Sequence, residues 1–286
     1  EFTNWVETSV HFASTLVDRI VVGTPRPELL QSEWEALGYR DEMIDCAEPF
    51  YLFAIEADSF TRRHFGIDRA SPNVRYVDDL TPYRVRKLRL LNGPHTVLSS
   101  LGRLMGLETV CDAMEDGQLG QFIQQMMFDE IAPALGSRHE EEGAQYGRDI
   151  LDRFRNPTIE HKLLSICVNC TAKAGIRLFP SLRNYSERFG RLPDKLLLGL
   201  AAVLAVVRQP EVEDSHADFF RERWRQVDTS SPDSLLAFVQ DAIASQAGWT
   251  GEQIDVQAVA APVSGLLQEI LQSDVRTVLT RRFGLG

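Results

Sequence analysis

Lys87, Asn92 and His95 fall within the stretch "KLRLLNGPH", and Arg84 precedes it by about one helical turn. An amine, an amide and an imidazole at this spacing suit proton transfer. A lysine beside Arg84, partly desolvated, has its neutral form favoured and acts as a base. Asn92 offers an amide donor to a carbonyl or alkoxide oxygen. His95 can hold a neighbouring hydroxyl. At about 100° per residue, with Lys87 as origin, Arg84 lies near about 60°, His95 near about 80° and Asn92 near about 140°. All four share one arc with Leu88 and Leu91, so polar groups stand on a partly apolar wall. Pro94 lacks a backbone donor and is expected to kink the helix. The set fits proton transfer to or from a secondary alcohol or ketone. Such a step needs a hydride partner, hence a nicotinamide cofactor. The same stretch, with Arg84, Arg86, Lys87 and Arg89, also reads as a solvated basic helix face.

The elements that must position these residues are mostly helical. From Thr81 onward the pattern is helical almost throughout: between 107 and 135, across Tyr146 to Phe154, and from "SSPDSLLAFVQDAI", with Ser231 as N-cap and Pro232 at N1, to the end. "NPTIEHKLLSICVNCTAKAG" is expected as one helix, opened by Asn156 and Pro157 and closed at Gly175. "LLLGLAAVLAVV" (196–207) is a core helix, too short to span a bilayer, which takes roughly 20 residues. "HEEEG" (139–143) is expected as a helix first turn, where acids are favoured. Before Thr81 the types mix. "PELLQSEWEALG" is a helix stopped by Gly38, while "PFYLFAIEA" and "NVRYVDDL" are strands. "TLVDRIVVG" (15–23) is either a strand or a helix end. Two strands make no stable sheet alone, so they are expected to extend another one.

The totals exclude several classes. The chain has 286 residues, 44% hydrophobic and 25% charged, an ordinary globular composition. Thirty basic against 41 acidic residues give a net charge of -11, which argues against a nucleic-acid binder. No membrane span and no signal peptide are expected. Four cysteines are too few for a disulfide scaffold of this length, so a reduced, cytoplasmic setting is the simpler expectation. Cys167 and Cys170, with His161 upstream, form one pair where a zinc site usually needs two, so they read as core thiols and no metal is expected.

Lys-x4-Asn-x2-His resembles the signature of the mannitol dehydrogenase family, the polyol-specific long-chain dehydrogenases. "TLVDRIV", "EPFYLFAIE", "VDDLTPYR", "DEIAPAL" and "RFRNPTIEHKLLSICVNCTAK" also resemble that family in order, over about residues 1–210. The resemblance implies a mainly α, multi-helical C-terminal substrate domain of the 6-phosphogluconate-dehydrogenase-like type. A few N-terminal strands would extend the sheet of a Rossmann domain lying before this chain. Residues 1–80 are then a mixed α/β docking segment and 81–286 the helical part. The abrupt start in "EFTNWV" and the lack of a G-x-G-x-x-G turn fit a chain that begins in mid-protein. On its own it is expected to be inactive.

The resemblance further implies NAD as cofactor and a metal-independent reaction. Lys87 would be the general acid/base, Asn92 half of an oxyanion hole, and His95 a binder of substrate hydroxyl. Asp18 of "VDRI" would contribute to the substrate site. Two positions depart from the family pattern. Arg84 stands where mannitol dehydrogenases carry a Glu, and Ser165 where they carry an Arg. A sugar-acid substrate carries a carboxylate, which Arg84 can pair with. Lys173 and Arg177 are further candidates for that carboxylate, although cations also favour solvated helix ends. Neutral polyols and other sugar acids remain alternatives within the family. A non-catalytic helical interaction module is the alternative outside it.

Overall fold

The computed structural model describes residues 1–136 and 140–286. They form two compact units, Glu1–Lys87 and Leu88–Gly286. His139 of the run "HEEEG" lies outside the described residues.

The first unit contains α1 (Phe2–Ser9), β1 (Ser14–Asp18), β2 (Val21–Gly23), α2 (Pro27–Leu37), β3 (Cys46–Ala47), β4 (Leu52–Glu56), α3 (Ser59–His64), a 3-10 turn (Ile67–Ala70), β5 (Val74–Val77) and α4 (Thr81–Lys87). β4 is the central strand of a three-stranded sheet of order β1-β4-β5. Its Leu52, Ala54 and Ile55 are buried, as a continuous apolar run requires. β1 runs antiparallel to it, from Ser14 opposite Glu56 to Asp18 opposite Leu52. β5 runs parallel to it, with Phe53 opposite Val74. The segment left open between strand and helix thus resolves into two strands, β1 and β2, and β2 pairs with β3. α2 ends where expected, at Gly38, whose φ of 78° is the left-handed conformation that glycine adopts without strain.

The second unit opens with a π-helical segment (Leu88–Asn92), then α5 (Gly93–Leu104), α6 (Val110–Glu115), α7 (Gly117–Gln125) and a second π-helical segment (Met126–Ile131). There follow α8 (Ala132–Ala134), α9 (Glu140–Phe154), α10 (Leu163–Cys167), α11 (Cys170–Phe189), α12 (Asp194–Val206), α13 (Ala217–Gln226), α14 (Pro232–Thr250), α15 (Val256–Gln272) and α16 (Val275–Phe283). α12 is the apolar run read from the sequence, and every residue from Leu196 to Val206 is buried. It packs against α5 and α15. Gly199 allows the close approach to α5, because a Cβ there would stand 2.5 Å from Val97. Burying a helix that is apolar all round is what fixes this unit's core.

Two expectations fail here for local reasons. Asn156 and Pro157 do not start a helix. The Asn156 side-chain oxygen accepts from the Thr158 amide and hydroxyl at 2.9 and 2.7 Å, which closes an Asx turn instead. Nor does one helix run to Gly175. It breaks at Asn169, which takes a left-handed φ of 54°, and its side-chain oxygen accepts from the Ser215 amide at 2.7 Å. α11 then continues through Gly175, where a Cβ would stand 2.8 Å from the Thr250 side chain of α14. Gly175 is a close-packing position and not a helix stop. Among the described residues no helix is long and apolar enough to cross a membrane.

Candidate active site

Within the first unit, α4 packs on β1 and brings two predicted site residues together. The Lys87 ammonium donates to the Val17 carbonyl at 2.6 Å, next in chain to Asp18. Lys87 is half-buried and Asp18 is 1% exposed. Arg84 is exposed on the same helix. The Thr81 hydroxyl and amide hold the Asp79 carboxyl below its usual range, and the charge of Arg84 adds to this.

The second unit begins at once with the π segment that carries Asn92. The cause is Pro94, which has no amide to donate and whose ring crowds the carbonyl four residues back. Wider i→i+5 turns accommodate both faults. The uniform 100° step assumed from the sequence therefore does not hold across 88–92, and the angular arc is not a valid measure of this stretch. The Asn92 carbonyl is served from outside the ladder. It accepts from the Thr96 hydroxyl at 3.0 Å and from Arg177 at 3.4 Å. The Asn92 side-chain oxygen is buried and accepts no hydrogen bond, although buried polar groups are usually paired.

His95 follows on α5 and is 5% exposed. Its ring stacks on Phe154 of α9 at 4.0 Å and 19°. His161 meets it edge-on at 5.1 Å and 83°. Burial drives the His95 pKa well below the usual imidazole value, and the charges of His161, Arg177, Arg153 and Lys173 push the same way. Burial also lowers His161 to about 4, with Lys173 contributing. Both imidazoles are neutral at pH 7. His95 Nε2 and His161 Nδ1 are buried without a hydrogen-bond partner.

α11 supplies the charge. Lys173 donates to the Ile166 carbonyl at 2.9 Å, and burial, then Arg177, lowers its pKa. Arg177 donates to the Thr96 hydroxyl at 2.9 Å, and burial alone brings it down to about 10. Neither forms an ion pair with a carboxylate among the described residues. Asp214 is the acid that Lys173 feels, and it is engaged by the Thr171 amide and hydroxyl at 3.0 and 2.8 Å. Arg177 and Lys173 are therefore not the solvated helix end that the sequence favoured, because α11 runs on to Phe189 and leaves them half-buried in its first half.

The predicted residues thus fall into two local groups. Asp18, Arg84 and Lys87 belong to the first unit, and Asn92, His95 and Lys173 to the second. From the sequence, Arg177 is a carboxylate candidate ranked below a solvated helix end, and His161 is weighed only as a metal ligand. Both are contributed by chain far from 87–95.

Comparison with known proteins places this arrangement. Residues 79–270 match the family model of the mannitol dehydrogenase C-terminal domain, and residues 1–69 match that of the mannitol dehydrogenase Rossmann domain. The chain is 37% identical to an altronate oxidoreductase of Yersinia enterocolitica, over 97% of this chain and 59% of that protein. It is 39% identical to an altronate oxidoreductase of Cronobacter sakazakii, over 96% of this chain and 58% of that protein. The figures for one from Bacillus subtilis are 34%, 97% and 57%. The chain thus spans less than two thirds of the length of these curated relatives. In fold it is similar to a Pseudomonas fluorescens mannitol 2-dehydrogenase ternary complex with NAD and D-mannitol. The TM-score is 0.75 at 22% identity, covering 99% of this chain and 56% of that one. A substrate-free D-sorbitol dehydrogenase gives a TM-score of 0.74, also at 22% identity, covering 96% and 56%. The match over 79–270, which takes in Asn92, His95 and Lys173, establishes that the chain belongs to the mannitol dehydrogenase family.

Proposed function

We propose that this chain is the substrate-handling part of an NAD-dependent oxidoreductase that interconverts tagaturonate and altronate. The observation that carries this reading is the pair of partly buried cations, Lys173 and Arg177, without a carboxylate partner among the described residues. Burying charge without a partner is costly. In a chain of net charge -11, two such cations beside a neutral imidazole call for an anion from outside. A sugar acid brings one, whereas a neutral polyol does not. The altronate oxidoreductase relatives support the same choice.

The chemistry follows from the side chains. In the reducing direction, the Lys87 ammonium gives its proton to the carbonyl oxygen as that oxygen gains charge. In the oxidising direction, the Lys87 amine takes the hydroxyl proton. The Asn92 amide is a donor suited to a carbonyl or alkoxide oxygen, whose negative charge it would stabilise. His95, neutral, bonds a neighbouring hydroxyl, and Asp18 accepts from another. Lys173 holds the carboxylate, with Arg84 as a second cation for acidic substrates. NAD, when bound, supplies or takes the hydride. The chain has no glycine-rich turn to cradle a pyrophosphate, so none of its residues is assigned to the cofactor. Residues 1–69 match the Rossmann-domain model, and the turn that would cradle the cofactor is expected from that domain in the full-length protein.

The test is turnover of NADH by the full-length enzyme with tagaturonate, fructuronate and fructose. The expected order of kcat/KM puts tagaturonate first and fructose last. Preference for fructuronate would move the assignment to another sugar acid. Equal or better use of fructose would overturn the carboxylate argument.

A further inference from the structure

We infer that His161 is a specificity-determining residue that binds a substrate hydroxyl, forming with His95 a two-imidazole wall for adjacent hydroxyls of a polyhydroxy acid. The inference deepens the proposed function and rests on its placing of substrate beside His95.

His161 is built in place for this role. Its carbonyl accepts from the Val110 amide at 2.9 Å, and the next residue, Lys162, bridges to Thr109. The ring is set edge-on to His95, which is itself fixed against Phe154. A histidine kept only for packing would have its buried nitrogens satisfied, because a buried unpaired donor or acceptor costs about 1–3 kcal/mol. Instead His161 Nδ1 and His95 Nε2 are both buried without a partner, and so is the Asn92 side-chain oxygen. These unpaired atoms lie on residues shared by one neighbourhood, and a ligand is what satisfies such a set.

The ligand's chemistry can be narrowed. A dication is disfavoured, because the charges of Arg177, Arg153 and Lys173 bear on His95 and that of Lys173 bears on His161. Among the described residues no group of three or more His, Cys, Asp or Glu stands ready to hold a metal. The imidazoles are neutral, so each offers one N–H and one lone pair. A hydroxyl can both donate and accept, which matches either tautomer. Two rings with centres 5.1 Å apart can serve two hydroxyls of one carbon chain. The cations of α11 then take the charged end of the same molecule. Hydroxyl-rich and anionic together describe a sugar acid.

The experiment pairs residue changes with substrate changes in the full-length enzyme. His161→Phe keeps the ring and removes both nitrogens, and His161→Asn keeps a polar atom near the Nδ1 position. Each is assayed on the sugar acid and on a series of its deoxy analogues. His161→Phe is expected to lower kcat/KM about 10- to 100-fold on the full substrate. It should change nothing on the one analogue that lacks the hydroxyl His161 binds, and Asn should restore most of the loss. Uniform loss on every analogue, or no loss on any, overturns the inference. If His161→Phe does not fold, His161→Leu decides on the same series: it should lose its preference for the full substrate over that one analogue, and an equal loss of preference against every analogue overturns the role. If the wild-type enzyme uses a neutral polyol and no sugar acid, the proposed function fails. The same cycle on that polyol still decides whether His161 binds a hydroxyl.

Discussion

Two π-helical segments, Leu88–Asn92 and Met126–Ile131, are built alike and used differently. Each is followed two residues later by a proline, Pro94 and Pro133. Each therefore widens for the same reason, the missing amide and the bulk of the ring. The second segment spends its polar side chain on structure. Glu130 is 4% exposed, and its two oxygens accept from the Lys195 and Leu196 amides at 2.8 and 2.9 Å. That caps α12, whose own N-cap residue, Pro193, offers no side-chain bond. The first segment leaves the Asn92 side-chain oxygen unpaired, with His95 and two partly buried cations in the same unit. A cavity of about 510 Å³ opens beside Glu130, yet two of the cations that line it are paired, Lys195 with Asp129 at 3.3 Å and Arg282 with Glu269, and a third, Arg191, lies over the Tyr185 ring. What marks the candidate site is unmet hydrogen-bonding and charge, not empty volume.

The largest expected contrast lies at the residue that precedes each π segment. Lys87→Ala should lower kcat of the full-length enzyme by about 10²- to 10⁴-fold, the usual contribution of a general acid/base. Gln125→Ala, at the matching place before the second segment, should leave kcat as it is. Steady-state kinetics of both variants would break the comparison if the losses were similar.

The two regions should also respond oppositely to pH. His161 has a folded pKa of about 4, below its unfolded value of 6.5, so the unfolded state takes a proton first. Its effect is absent above pH 6.5 and grows as pH falls towards 4, costing about 3 kcal/mol when complete. Buried His95 acts in the same direction. Glu130 is raised by burial from 4.5 to about 7, against the pull of its two amide bonds. There the unfolded state loses its proton first, so stability falls as pH rises from 4.5 to 7, again by about 3 kcal/mol. Between pH 4.5 and 6.5 the His161 and Glu130 slopes oppose each other. Glu130→Gln should therefore give a melting temperature that rises with pH across this window, and His161→Asn should tilt it less steeply upward than that. Parallel profiles for the two variants would refute the assignment of opposite signs.

A smaller effect sharpens the role of the unpaired cations. Lys173→Met should raise KM for the sugar acid by about 10- to 150-fold, the loss of a charge-assisted hydrogen bond of about 1.5–3 kcal/mol. A neutral ketose should be nearly unaffected. Arg84→Gln should act in the same sense but more weakly, because Arg84 is exposed and its pairing is screened. Equal losses on acidic and neutral substrates would remove both residues from carboxylate binding.

How much of this was legible follows from chain distance. Lys87, Asn92 and His95 are neighbours in sequence, so their types and spacing were visible. Their angular placement was not, because Pro94 turns the helix into a π segment that a fixed step per residue cannot follow. The α12 core helix was legible because its composition is apolar on every face. The role of His161 and the half-burial of Arg177 were not, since their environment is made by α11 and the 159–162 turn coming to α5 from afar. Gly175 misled for a related reason, since its value lies in the approach of α14 and not in its own backbone. The unpaired atoms are a tertiary property, and no pattern along the chain announces them.

The contrast between the two π segments is tested most directly by kcat and melting temperature of the full-length enzyme carrying Asn92→Ala or Glu130→Gln. Asn92→Ala is expected to lower kcat by about 10²- to 10³-fold, as loss of an oxyanion donor does, with little change in melting temperature. At pH 5, where Glu130 is protonated, Glu130→Gln is expected to lower the melting temperature by weakening a helix cap worth about 0.5–2 kcal/mol, with kcat unchanged. A stable, fully active Asn92→Ala enzyme, or a Glu130→Gln enzyme that folds as well as wild type and has lost turnover, would contradict the account.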